Sequence, residues 1–402
     1  MKTNAFNVQL IRSTMTSWIQ IRRIMIQGML VFLAILNNSS TNVNQVYAGK
    51  PAPPPPVKYS VTIIPTSVSM WAEDMNNHGE LVGAYSDPNV VNTNQGISAF
   101  LVSEGRVYDL SEIADPPPGW YFARAHGIND AGSIVGYLGL EVGAGTDTVR
   151  HGFVLHRPIG QPAYVEELPD SNWAYASGKD INEDGTVLGY FRNASGTPGT
   201  YVYYSQLPPQ PATEVLPIQQ QYVTSIALNN SIAGRPAQVA GTSANGTAFR
   251  HTIGAASPQI INFQSAYGIN DWGDVCGGSQ RKNLTWFATR YSDINGIQTI
   301  SGFDGTASRI NSNGDMSSGA TSGGNFQLYS EGKGVLTIGS WLVGTTADVN
   351  RFKNSRSFLK HVTERGSLNP SMPGFPALGG YAVDNISNGA ISYCFILTPV
   401  AP

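Results

Sequence analysis

Asp180, Asn182 and Asp184 stand at alternate positions in the stretch DINEDGT, around Gly185 and ahead of Thr186. Hard oxygens at the first, third and fifth positions of a glycine-containing loop could begin a calcium site. A complete loop of that type ends on a bidentate glutamate at its twelfth position, which Phe191 occupies here. The matching stretch HGINDAGS has Gly127 in place of Asp180 and Ala131 in place of Asp184, so the ligand set does not recur. A capped hairpin turn is the stronger reading of Asp180, Asn182 and Asp184, and calcium the weaker one. No other cofactor is expected.

The remaining chemistry-bearing residues are dispersed. The six histidines, His78, His126, His151, His156, His251 and His361, show no zinc spacing. His151 and His156 end the strand-like HGFVLH and, at odd separation, point to opposite faces. Surface or strand-end roles are expected of all six. No G-x-S-x-G elbow occurs. SGGN and GAGTDT lack the Lys-Ser/Thr that a phosphate loop requires. Glu166 and Glu167 read as hairpin-edge residues, and no catalytic residue is expected. Trp120 in DPPPGWYF, Trp173 in DSNWAY and Trp272 in NDWGD sit among turn formers. Loop aromatics beside Asn and Asp suit sugars or extended peptides, although they also cap the ends of packed sheets.

What positions these residues is legible in the composition. Only 13% of the 402 residues are charged, about half the usual share, while Gly numbers 44, Tyr 18 and Phe 15. Such a chain favours short strands and tight turns over long amphipathic helices. A net charge of -3 without a Lys/Arg cluster in the body excludes a nucleic-acid footprint. Near the start, RRIMIQGMLVFLAIL (22–36) and VYAGK read as an export signal, with Ala48 the last residue removed and Met15 an alternative start. The apolar run is shorter than the roughly 20 residues a bilayer span needs, so no stable span is expected after processing. An uncleaved anchor is the alternative. The predicted organisation is a signal peptide over 1–48, a stiff proline spacer over 49–57, and one domain over 58–402.

One phrase recurs along that domain. AEDMNNHGELVGAY, AHGINDAGSIVGY, GKDINEDGTVLGY, SIALNNSIAGRPAQVAG, AYGINDWGDVCGG and ASRINSNGDMSSG place anchors at Asn76, Asn129, Asn182, Asn229, Asn270 and Asn311. A weaker copy in ADVNRFKNS adds Asn350. The spacings run from 39 to 53 residues, suited to one supersecondary unit. Each phrase is followed by an aromatic strand, such as GISAFLVS or RHGFVLHR, and a short outer run such as VYDL. Four strands per unit specify an all-β fold, a β-propeller of four-stranded blades. Seven blades are expected, with two compressed blades in 345–402, giving eight, as the alternative. The first strand, YSVTIIP, lacks inner strands before it, and the last, YCFILTP, lacks an outer one after it. Pairing them closes the ring and removes an open edge. In each phrase, Asn and Gly make the turn and the apolar pair, such as Ile134 and Val135, faces the two neighbouring blades.

The repeated A-x-x-I-N-x-x-G-x-x-V-G-x followed by A-F, carried by AHGINDAGSIVGY with RHGFVL and AYGINDWGDVCGG with TWFATRY, resembles the HAF family of bacterial extracellular repeats. The resemblance covers about 59–400 and implies export and a repeat β architecture. It brings no catalytic residues. The fourth and sixth phrases depart from the pattern through IAGRP and MSSG.

Cys276 takes the place of Val135, and Cys394 the place of Ala99 beside a Phe. With a whole blade between them they lie beyond the roughly 7 Å Cα limit of a disulfide, so two reduced, buried thiols are expected. The function expected is a non-catalytic binding module, secreted to the periplasm or cell exterior and monomeric, for a carbohydrate or protein partner at the envelope. The alternative is a hydrolase or lyase with its site in the central channel. Carboxylates are sparse on the inner strands, and the arginine cluster and S-x-D-x-G-x-x-W boxes of propeller sialidases are missing.

Overall fold

The computed structural model describes residues 57–401, apart from 87–96, 141–148, 169–172, 206–212, 219–225, 233, 281–284, 320, 323–324 and 385–390. The expected leader and all but the last residue of the spacer lie outside the described residues. Among the described residues, no helix is long and apolar enough to cross a membrane.

The chain folds as a β-propeller whose repeating element is a four-stranded antiparallel meander. In the first, Ser69–Met75 runs to the Asn76 turn, Leu81–Ser86 returns, Ile97–Ser103 is the Phe strand, and Arg106–Asp109 lies outermost. Meanders of the same order begin at Trp120–Ile128, Trp173–Ile181, Ile226–Leu228, Ser265–Ile269 and Ala307–Ile310. The last uses Arg356–Val362, Leu378–Val383 and Ser392–Val400, and takes Lys58–Ile63 as its fourth strand. That pairing, from Lys58 opposite Val400 to Ile63 opposite Phe395, is the closure expected from the sequence.

Seven separate blades are not what hydrogen bonding delineates; the described strands form six sheets. The second and third meanders merge into one eight-stranded sheet through a parallel bridge between Tyr175 and Arg150. The cause is local. The Arg150 guanidinium lies 4.3 Å from the Tyr137 ring centre and 5.0 Å from that of Tyr175, and donates to the Tyr175 hydroxyl at 3.0 Å. The Asn350 copy is also corrected. Thr346–Asn354 is a helix, capped by the Thr345 side chain accepting from the Asp348 amide, with Phe352 buried against Phe326 and Phe395. The stretch SRSFLKH, grouped with it, is the inner strand of the last meander.

Packing follows the apolar pair of each phrase. Ile134 is buried with Val82 and Leu101 on one side, and Val135 with Val187 and Tyr201 on the other. Cys276 faces Ala288 and Met316, whereas Cys394 faces Met70 and Phe100; both are free and buried. Burial pushes the Cys276 thiol up to about 12 and raises Cys394 as well.

Ion pairs tie neighbouring meanders at their edges. Arg157 donates to both oxygens of Glu80 at 2.8 and 3.2 Å. Burial alone would raise the Glu80 carboxyl, but Arg157, Ser103 and Asn76 outweigh it and hold it below its ordinary 4.5. A lowered folded-state pKa contributes stability above the unfolded value and loses it as pH falls through the folded one. Glu80→Gln is therefore expected to cost about 1–3 kcal/mol at pH 7. The difference from the parent should narrow below pH 4.5, as read from urea midpoints across pH; an unchanged difference at pH 3 would refute the assignment.

Candidate functional site

The inner strands share a defect. Register shifts fall between Ala72 and Asp74, Ala125 and Gly127, Gly178 and Asp180, Ala266 and Gly268, Ala307 and Arg309, and Leu359 and His361. A bulge leaves one residue unpaired and re-aims its side chain. The residues so released are Glu73, His126, Lys179, Tyr267, Ser308 and Lys360, each three positions before the Asn or Thr of its turn, and Ile226 holds that position in the fourth meander. All seven line one cavity of about 660 Å³, the wide mouth of the central channel. The glycine of the V-G-Y element permits the bulge: a Cβ on Gly136 would lie 1.9 Å from the Arg124 carbonyl oxygen.

Charge in the wide mouth is uneven. Glu73 accepts from Arg124 at 3.3 Å and from Lys360 at 3.1 Å. Lys179 donates to His126 Nε2 at 2.9 Å, and Arg309 donates to the carbonyls of Tyr267 and Ser308. Burial, then the charges of Lys179 and Arg124, hold the His126 imidazole well below its ordinary range, so it is neutral and accepts. Burial lowers Lys179 to about 8 although Glu73 opposes the shift. Tyr175 and Tyr190 meet edge to face at 5.9 Å on the rim.

Deeper, a cavity of about 170 Å³ ends at the turns. Asp74 accepts from the Ile128 amide at 3.2 Å and bonds His361 at 2.8 Å. Asp180 accepts from Ile181 at 2.9 Å and Leu228 at 2.8 Å. Burial and the Asp74 charge push the Asp180 carboxyl up to about 7 against the pull of the Leu228 amide and Arg309. These carboxylates stitch one inner strand to the next. Beyond them the asparagines form a ring. The Nδ2 of Asn76 donates to Asn129 O at 3.2 Å, Asn129 to Asn182 O at 3.0 Å, and Asn182 to Asn229 O at 3.0 Å. Asn229, Asn270 and Asn311 continue it to Asn270, Asn311 and Thr363 at 2.8, 3.1 and 2.8 Å. Glu364, after Thr363, completes the circuit by donating its amide to Asn77 at 2.8 Å.

The sequence-predicted residues are not brought together. Asp180 lines the channel, Asn182 belongs to the asparagine ring, and Asp184 accepts from Ser231 of the next meander. Among the described residues, no group of three His, Cys, Asp or Glu is placed to hold a metal. Trp120 lies tilted against His151 at 4.1 Å and Trp173 stacks on Phe191 at 4.2 Å, both at the starts of inner strands. Trp272 is 60% exposed and lies at the opposite end of the channel, in the Asn270 turn. The three tryptophans therefore do not share a face. His126 and His361 line the channel, correcting the surface role expected of them, and Glu73, Asp74 and Asp180 correct the expectation that inner strands carry few carboxylates. The position three before each anchor carried the signal, but its residue types, Glu, His, Lys, Ile, Tyr, Ser and Lys, form no motif.

No family profile and no curated protein matches this chain. Among solved structures, it is similar to AofleA from Arthrobotrys oligospora, with a TM-score of 0.39, 8% identity, and 86% of this chain and 87% of that chain covered. It is also similar to Trypanosoma rangeli sialidase in complex with the inhibitor DANA, with a TM-score of 0.41 and 9% identity. That match covers 85% of this chain and 58% of the sialidase, so the chain spans little more than half of the sialidase's length. Neither likeness assigns a role to a residue here.

Proposed function

We propose that this protein is an exported, non-catalytic binding module of bacterial HAF type that takes a glycan of the cell envelope at the wide mouth of its channel. The carrying observation is the cavity of about 660 Å³ with Tyr175, Tyr190, Tyr267 and Phe358 among polar side chains. Aromatic faces beside hydrogen-bonding groups suit the apolar and hydroxylated faces of a sugar. Export and the HAF kinship rest on the leader and the repeated phrase. The rival reading, a hydrolase, draws on Asp74 and Asp180 facing one cavity. Against it, both oxygens of each are engaged by backbone amides or His361.

A glycan and cell-wall array probed with the mature protein, with and without chelator, tests the proposal. Binding that survives chelation and falls at least tenfold in Tyr267→Ala is expected. Hydrolysis of an array component, or binding abolished by chelator, would count against it.

A further inference from the structure

We infer that the wide mouth selects acidic saccharides, its cations receiving a carboxylate borne by the sugar. This rests on the glycan reading above and narrows it to one chemical class.

Four cationic side chains, Arg124, Lys179, Arg309 and Lys360, line the wide mouth against one carboxylate, Glu73. Glu73 is already shared between Arg124 and Lys360. Among the described residues, neither Lys179 nor Arg309 has a carboxylate partner, and the buried Nε of Arg124 has no acceptor. The cations also sit at fixed positions, because a bulge presents Lys179 and Lys360 and the neighbouring strand residues present Arg124 and Arg309. At the other end of the channel the charge is reversed. Asp130, Glu183, Asp271 and Glu364 follow the anchors there, and burial, then neighbouring acids, raise the Glu183 and Glu364 carboxyls against the pull of their hydrogen bonds. An acidic ligand is thus drawn to the wide mouth and repelled from the narrow one. The tyrosines of the rim offer the face on which the ring of the same sugar rests.

The ammonium of Lys179 gives the site a pH signature. Facing it are Glu73, Arg124, His126, Arg150, Arg309 and Lys360. His126 stays neutral above pH 7. Burial brings Lys179 to about 8. Affinity for an acidic sugar should therefore fall as pH rises from 7 to 9.5.

The test is calorimetric titration of the full chain with trigalacturonate and with its methyl ester, which keeps the shape and removes the charge. The acid should bind at least tenfold more tightly than the ester at low salt, and the gap should shrink at high salt. Lys179→Met should lower acid affinity at least tenfold and flatten its pH profile, while Lys179→Arg should retain binding at pH 9.5. Should the lysine variants fail to fold, the acid-ester and salt comparisons on the parent protein still decide the matter. Equal binding of acid and ester would overturn the inference and leave the glycan reading standing. Inorganic tripolyphosphate binding as tightly as trigalacturonate would support the anion site and remove the glycan reading. Failure of every probe, on this titration and on the array, would overturn both.

Discussion

Tyr59→Ala is expected to destabilise the protein by about 3–5 kcal/mol, the range for removing a fully buried aromatic. Tyr59 is inaccessible to solvent and packs in the cluster with Phe326, Phe352 and Phe395. It lies on Lys58–Ile63, the strand that joins the last meander from the opposite end of the chain and also pairs in parallel with Leu342–Val343. Its hydroxyl donates to the Pro376 carbonyl at 3.3 Å, near the limit of a hydrogen bond, so Tyr59→Phe should cost no more than about 1 kcal/mol. The two variants separate ring packing from the polar contact. Both should be read from urea midpoints, with limited proteolysis reporting the closing strand. In Tyr59→Ala, cleavage should appear first near residues 57–65, ahead of the remaining sheets. A midpoint within 1 kcal/mol of the parent would mean that the closing strand adds little to stability.

The second large effect is expected at the asparagine ring. Asn182 accepts from the Thr186 amide at 2.9 Å and donates to the Asn229 carbonyl of the next meander at 3.0 Å, and all three residues are buried. Asn182→Ala leaves both backbone groups without partners. Each such group costs about 1–3 kcal/mol, so a loss of about 2–5 kcal/mol is expected. Asn245→Ala, in an exposed turn where the side chain only accepts from Ser243, should stay within about 0.5 kcal/mol of the parent. Urea unfolding of the pair decides the point. A small loss in Asn182→Ala would show that the ring is an ornament of the turns rather than a tie between meanders. Backbone hydrogen exchange should localise any loss to the Thr186 and Asn229 turns of the third and fourth meanders.

The asparagine illustrates how far one-dimensional reasoning reaches. Asn followed three residues later by Gly identifies a turn, and the structure places Gly132 at φ 81 and Gly185 at φ 75 in the left-handed region. At Asn129, Asn182 and Asn229 the turn uses only the acceptor half of the side chain. The donor half crosses to a carbonyl about 50 residues away, a partner that local propensity has no means to name. The same limit applies to the helix at Thr346–Asn354. Its Asn350 imitates an anchor in isolation, but the Thr345 cap and the burial of Phe352 decide its conformation.

The tryptophans show the opposite error. Trp120 and Trp173 read as loop aromatics because Pro, Gly, Ser and Asn precede them. Their rings instead begin inner strands and lie on His151 and Phe191, so their apolar area is largely spent within the fold.

By itself the sequence determined the all-β class, the four-strand unit and the ring closure. Each follows from short-range pattern: a turn phrase in phase, an apolar pair facing both ways, and an outer strand without inner strands at one end of the domain matched by a Phe strand without an outer one at the other. Only the tertiary structure decided what the channel is made of. A bulge shifts one residue out of the alternating pattern, so Lys179 and Lys360 turn to the axis where simple alternation along a strand would not place them. Their neighbours in the mouth, Arg124, Tyr267 and Arg309, come from meanders far apart in the chain. Convergence of that kind depends on closing the ring, because closure is what turns one position in each repeat into a common wall.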